Sequence, residues 1–435
     1  MSSQSKAIAK QLSQVPSKQI SIPTTMRTSK FTATNGSSFI SNQNNVSFFD
    51  VTAEDGAYLA PGHTAIQFTI QNNNGATGTL DIAAWAAISR IRIIAKKSGQ
   101  EIEDILNYNV LMTALYQIQG SESFARIMEV SAGVTQFNTT VTPDTVVPGV
   151  LTVLNSITSG GSATYTIPLL SGLFSGQTQY IDLAMLSGIQ VQIYWDSNFS
   201  NVLKTAAAPS VAQYTILNPS IICNLVTIQD LSVRQMLRSR GVAYSYPMWQ
   251  CFINSLPISQ GVCNVLINDK SESLRSVMTF LVPTATNAFS GIQSVSGTTA
   301  LNYQYKIGSQ YYPTQAIPFS SVTGSANLGE AMFNTLSCLT SSVFSLKNTT
   351  FIDYSMMTQP VSSTSNSFFC FGMNLQSFND NEGLESGLRT IDMPPLQLLI
   401  NFTSANTTQA YQVLSFCNKD VLLVVNADGT LTRWC

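Results

Sequence analysis

A chain of 435 residues, 44% of them hydrophobic, has the apolar surface to fill two domain cores and is too long for one compact core. Asp, Glu, Lys and Arg make up only 10% of it and the formal charge is −2, where soluble domains average about 25% charged residues. Ser, Thr, Asn and Gln must carry the surface, and weak self-repulsion suits a chain packed against its own copies, or a secreted β-protein with a neutral exterior. No uninterrupted apolar run reaches the roughly 18 residues of a membrane-spanning helix. The 7 cysteines are odd in number and form no Cys-x-x-Cys pair, which speaks against a disulfide framework and for reduced, mostly buried thiols.

Residues 1–45 read as a polar arm in which Lys6, Lys10, Lys18, Arg27 and Lys30 are the only charged side chains; the first acid is Asp50. Apart from a short helical stretch at Ala7 to Leu12 its periodicity is weak. Its cations suit an anionic surface, such as a membrane or packaged nucleic acid, or simply an ordinary soluble tail. The opening MSSQSKAIAKQLSQ lacks the apolar core of a secretory leader, and the reduced thiols point to assembly inside a cell.

The body begins at residue 46. Thr64, Ile66, Phe68 and Ile70 alternate as in a strand, and strands follow at Ser89 to Ala95, Tyr165 to Ile167, Gln190 to Trp195 and Tyr214 to Leu217. Between the first two of these, SGQEIEDILNYNVLMTALYQI predicts one helix. Ser98 and Glu101 have capping-box spacing, Glu103 and Asp104 fall in the first turn, and Ile102, Ile105, Leu106, Val110, Met112 and Tyr116 lie roughly on one side. Residues 46–226 then form one domain and 227–246 a connector, helical around Val233 to Arg238.

The domain 247–435 repeats the plan. Strands are expected at Ser276 to Val282, Phe368 to Asn374, Leu396 to Phe402 and Val421 to Val425, and a helix where Asn327 and Glu330 precede Met332, Leu336 and Leu339. The closing NADGTLTRW predicts a hairpin with Gly429 left-handed. Three landmarks recur in order. IQVQIYW (from Ile189) matches LQLLINF (from Leu396), Ile181-Asp182 matches Ile391-Asp392, and the strand from Tyr214 matches that from Tyr411. One domain therefore occurs twice. The fold class is all-β: two tandem antiparallel jelly-roll sandwiches, each with a short helix, plus the N-terminal arm.

Chemistry is not expected. The one histidine, His63, sits in a Pro-Gly turn without a nucleophile or carboxylate at motif spacing, and scattered Cys with one His offers no metal cluster. The acids Glu101, Glu103 and Asp104 are accounted for by helix capping, and Asp380, Glu382 and Glu385 by a solvated loop, although a glycoside hydrolase would need such a carboxylate pair. No phosphate-binding glycine motif occurs, and the sequons at Asn138, Asn348 and Asn406 are expected by chance in so Asn- and Thr-rich a chain. No catalytic residue, cofactor or metal is assigned.

Three segments carry a family resemblance: ISRIRIIAKKSGQEIEDILNYNVL, IPLLSGLFSGQTQYIDLAMLSGIQVQIYWDS, and YKIGSQYYP in the second half. They resemble the double jelly-roll major capsid proteins of icosahedral double-stranded DNA viruses, most similar to those of polinton-like viruses and virophages, with tectivirus-type phages more distant. The resemblance implies a non-catalytic virion protein assembled in the host cell. It forms a homotrimer whose six rolls imitate a hexagonal tile beside neighbouring capsomers, with minor capsid and penton proteins as further partners. It also implies that the basic arm faces inward, towards an internal membrane or packaged DNA. The alternatives from other classes are a secreted or surface carbohydrate-binding protein and a jelly-roll glycoside hydrolase.

Overall fold

The computed structural model describes residues 24–80, 83–119, 128, 130–133, 156–177, 179–205, 211, 213–239, 241–256, 261–284, 300–318, 329–338, 370–376, 387–402, 410–426 and 430–435. The first half is built on β1 (Thr24–Thr32), β2 (Val46–Val51), β3 (Ala65–Asn72), β4 (Ile88–Ala95), β5 (Glu101–Leu106), β6 (Ser162–Pro168), β7 (Ile189–Trp195) and β8 (Tyr214–Ile228). The second is built on β9 (Val242–Leu256), β10 (Val262–Ile267), β11 (Leu274–Pro283), β12 (Ala300–Ile307), β13 (Gln310–Pro318), β14 (Cys370–Asn374), β15 (Leu396–Phe402) and β16 (Tyr411–Val425).

In the first half the sheets run β6-β3-β8-β1 and β2-β7-β4-β5; in the second they run β14-β11-β16-β9 and β10-β15-β12-β13, all pairs antiparallel. Each of these eight strands of the first half thus has its counterpart eight labels later, in the same sheet position, while shorter strands such as Ser38–Ile40 and Gly78–Leu80 stand outside the correspondence. Helix α1 (Tyr108–Gln119) follows β5, and α3 (Gly329–Ser337) follows β13, so the helices also match. Helix α2 (Leu231–Ser239) joins the rolls.

Period-two side chains explain the sandwiches. β3, β7 and β15 bury every second residue, and the buried set faces the opposite sheet. In the first core Phe68 stacks 5.0 Å from Trp195, whose indole N–H donates to Ser47 Oγ at 2.7 Å. In the second, Phe280 meets Phe416 edge-on at 5.4 Å and Tyr303 lies 4.6 Å from Phe371. The indole N–H of Trp195 is satisfied inside the core, so its large apolar area adds fully to the packing.

Two expectations are corrected. The helix predicted from Ser98 begins only at Tyr108, because Glu101–Leu106 is β5, hairpinned to β4. Two of the acids that mimic a helix start, Glu101 and Asp104, are partners of cross-strand arginines instead. Arg90 reaches both carboxylate oxygens of Asp104 (2.7 and 2.6 Å), and Arg92 Nε donates to Glu101 at 2.6 Å. Ser98 belongs to the turn, accepting from the Gln100 N–H at 3.2 Å, and Asn107, with φ 51, separates strand from helix.

The arm expected over residues 1–45 contains strands. β1 pairs with β8 from Thr24↔Ile228 to Thr32↔Ser220, and Ser38–Ile40 pairs with the other end of β8. The first roll therefore starts at β1, because its sheet needs a strand on the far side of β8, as β9 flanks β16. The connector expected over 227–246 narrows likewise to the residues between β8 and β9. Lys6, Lys10 and Lys18, the Ala7 to Leu12 stretch, Asp380, Glu382, Glu385, Gly429, Asn327 and the three sequon asparagines lie outside the described residues.

Replacing Trp195 by Ala should lower stability by about 3–5 kcal/mol. Trp195→Phe should cost clearly less, since a ring remains against Phe68. Denaturant unfolding of both variants checks the order.

Candidate assembly interface

The two rolls meet where β9 lies against β5 and the segment Ser171–Asp182 that precedes β7. Tyr244, Tyr246 and Met248 of β9 are buried there. The Tyr246 hydroxyl donates to Ile102 O at 3.4 Å, the Asp182 N–H donates to the Tyr244 hydroxyl at 3.0 Å, and Asn107 Nδ2 lies 3.6 Å from Cys251 Sγ. From the last strand, Leu431–Trp434, Arg433 Nη1 donates to the carbonyls of Glu101 and Ile102, each at 3.0 Å.

Glu103 is a buried acid of this junction. Its carboxylate accepts from Ser171 Oγ in a short contact, from the Gly172 N–H at 2.8 Å and from the Leu173 N–H at 3.4 Å. Those donors open the short helix Gly172–Ser175, which Ser171 also caps by accepting from the Phe174 N–H at 3.3 Å. Gly172 is required there for space. A Cβ at this position would stand 1.9 Å from the carbonyl oxygen of Pro247 on β9. Burial raises the Glu103 carboxyl above its usual range, against the opposing pull of its hydrogen bonds.

A second set of charges fixes the link. Arg238 of α2 donates to Asp182 from Nε (2.7 Å) and Nη2 (3.2 Å) and to Asp55 from Nη1 (2.6 Å), while Arg234 reaches Asp55 at 3.1 Å. The Asp182 side chain is 2% exposed. Arg238 holds the Asp55 carboxyl below its usual range, chiefly through their hydrogen bond. Forked Arg–carboxylate pairing fixes orientation as well as contact.

Of the sequence-derived arm residues, the described ones are Arg27 and Lys30. Both lie on β1 and bond within the first roll: Arg27 to Glu54 at 3.5 Å and Lys30 Nζ to Gln67 Oε1 at 2.6 Å. His63 is exposed in its turn. Among the described residues no group of three His, Cys, Asp or Glu could hold a metal. All the cysteines are unpaired, and burial raises Cys223 and Cys251 to about 12 and Cys263 to about 11, leaving them protonated and unreactive. Sequence reasoning missed Glu103 as a junction residue, together with Gly172, Arg238 and Arg433. The signal was present in Ser171-Gly172 and in the Ile-Asp pair that recurs at 181 and 391.

No protein-family model matches the sequence, and no curated protein matches it. Solved structures do, over nearly the whole chain. The similarity to a chain of the PBCV-1 virus capsid has a TM-score of 0.61 at 10% identity, covering 95% of this chain and 97% of that one. For a chain of the Sputnik virophage the values are 0.58, 13%, 94% and 88%, and for the Faustovirus major capsid protein 0.55, 7%, 93% and 91%. With the two matching strand orders, this likeness defines a double jelly-roll fold.

Gly172→Ala should push β9 off the first roll and cost about 2 kcal/mol or more, seen as a lower thermal midpoint with protease cleavage near the connector. Glu103 gives a pH signature. A carboxyl whose pKa rises on folding contributes stability that is complete below its unfolded value and is lost as pH rises through the folded one. The melting temperature of the native chain should therefore rise relative to Glu103→Gln as pH is lowered from about 8 towards about 5.

Proposed function

We propose that this chain is a major capsid protein. Three copies form a pseudo-hexameric capsomer, and capsomers tile the icosahedral shell of a double-stranded DNA virus. The observation that carries the reading is the repetition of one eight-strand topology in both halves, in a fold shared along its length with the PBCV-1 capsid chain and the Faustovirus major capsid protein. A trimer of two-roll chains presents six similar bodies, so threefold symmetry fills a six-neighbour position. The role is structural and non-catalytic, and its seat is the virion shell.

The finer partners belong to the same proposal. Neighbouring capsomers, minor capsid proteins and a penton protein complete the shell, and the basic residues Lys6, Lys10 and Lys18 ahead of β1 face its interior, towards an internal membrane or packaged DNA. Low charge supports the assembly role, since surfaces with few ions are cheap to desolvate.

Light scattering of the purified chain at micromolar concentration should give three times the monomer mass, and negative-stain images should show near-hexagonal particles with a threefold centre. A clean monomer would overturn the reading.

A further inference from the structure

We propose that Lys419 and Gln250 become joined by an amide bond inside the second roll, with Asp269 carrying the protons.

A lysine is rarely buried unless a partner holds it there. Lys419 is 4% exposed on β16, which runs between β9 and β11, with Met248 opposite it on one side and Leu274 on the other. Its ammonium has two partners. Nζ donates to Gln250 Oε1 in a short contact and to Asp269 Oδ1 at 3.3 Å. Gln250 stands two residues beyond Met248 on β9, the diagonal neighbour on the same face of the sheet, where long side chains meet.

Asp269 follows β10, and its side chain is fully buried. Its other oxygen accepts from the Ser271 hydroxyl at 2.6 Å and from the Thr390 hydroxyl at 3.1 Å. Those two residues are tied together in turn. The Ser271 N–H donates to Thr390 Oγ1 at 2.9 Å, and the Thr390 N–H donates to Ser271 O at 2.8 Å. A carboxylate fixed on one oxygen by two hydroxyls keeps the other directed at Nζ. Amine, amide and carboxylate therefore come from three separate segments of rigid backbone and are held in place before any reaction, which is what an intramolecular acyl transfer requires.

The two groups bonded to Nζ divide the roles: the carboxylate carries protons, and the uncharged amide accepts the amine. Inside a core, an ion pair and its neutral form lie closer in free energy than they do in water. Passage of a proton from Nζ to Asp269 frees the nitrogen lone pair. The amine then attacks Gln250 Cδ, the carbon whose oxygen it already contacts. The Nζ–Cδ bond forms and the Cδ–Nε2 bond breaks. Of the three ammonium protons, one stays on the new amide, one is left on Asp269 and one passes to the departing nitrogen, which leaves as ammonia. Gln250 is half-buried, so the ammonia has a way out.

Such a bond ties β9, the strand that docks on the first roll, to the central strand β16, across a sequence separation of 169 residues. A cross-link of this span restricts the unfolded chain as a disulfide does. All the cysteines are unpaired, and an amide, unlike a disulfide, forms without an oxidant.

The test is tandem mass spectrometry of the purified full chain, digested under denaturing conditions. One branched peptide joining residues 250 and 419, lighter by one ammonia than the sum of its two parts, is expected. Linear peptides alone overturn the proposal, and a branch between 419 and 269, lighter by one water, overturns the choice of Gln250. Two variants follow, with circular dichroism to confirm folding. Gln250→Ala and Asp269→Asn should both give linear peptides only. A branch at 419 in folded Gln250→Ala overturns the pairing, and a branch between 250 and 419 in folded Asp269→Asn overturns the role of the carboxylate. Should either variant fail to fold, the digest of the unmodified chain decides.

Discussion

Everything in the arrangement of this molecule depends on β9 lying against β5 and the segment before β7. Two sandwiches on one chain would otherwise be tethered bodies free to reorient. Here the connector is short, and Arg238 ties it to both Asp55 and Asp182. Glu103 meanwhile gathers three donors from the start of a helical turn whose glycine leaves no room for a Cβ beside the Pro247 carbonyl. A buried carboxylate costs desolvation energy that its hydrogen bonds only offset. What it supplies is geometry, since the position of Gly172 relative to β9 is fixed by the group that binds its N–H.

How much of this was legible in the sequence depends on contrast between the two faces of a strand. Ile189 to Trp195 and Leu396 to Phe402 each put apolar side chains on one face and mostly polar ones on the other, and the structure buries the apolar face. β1 has no such contrast. Its Thr-Thr-Met-Arg-Thr-Ser-Lys-Phe-Thr lies at a sheet edge with both faces largely exposed, so it reads as polar tail although it completes the first roll.

The misread helix shows a different limit. Ser98, Glu101, Glu103 and Asp104 satisfy every local rule for a helix start, and Ile102, Ile105 and Val110 continue a helical stripe. Yet Arg90 and Arg92 lie one strand back, and cross-strand pairing with them outweighs a capping preference of about 1 kcal/mol. Only the alternation of Arg with Ile in β4 hinted at those partners. The junction residues were still less visible, since Glu103 differs from its neighbours Glu101 and Asp104 only in which face of β5 it occupies, and a one-residue change of phase exchanges a solvated acid for a buried one.

The duplicated domains have diverged where their surroundings differ, and the direction of change is physically consistent. The internal junction forms within one chain, where linkage supplies a high effective concentration. It can therefore carry desolvated groups such as the Glu103 carboxyl and the Asp182–Arg238 pair. In the other roll the register places the half-buried Tyr312 where Glu103 stands and the exposed Asp392, paired with Arg389, where Asp182 stands. A contact between two separate molecules must also form against the loss of translational freedom, so a desolvated acid is more easily carried within one chain. The second roll also holds a buried pair, Lys419 with Asp269 at 3.3 Å, so in both halves the desolvated groups are tied to partners of the same chain, and Ser, Thr, Asn and Gln are left to carry a surface of low overall charge.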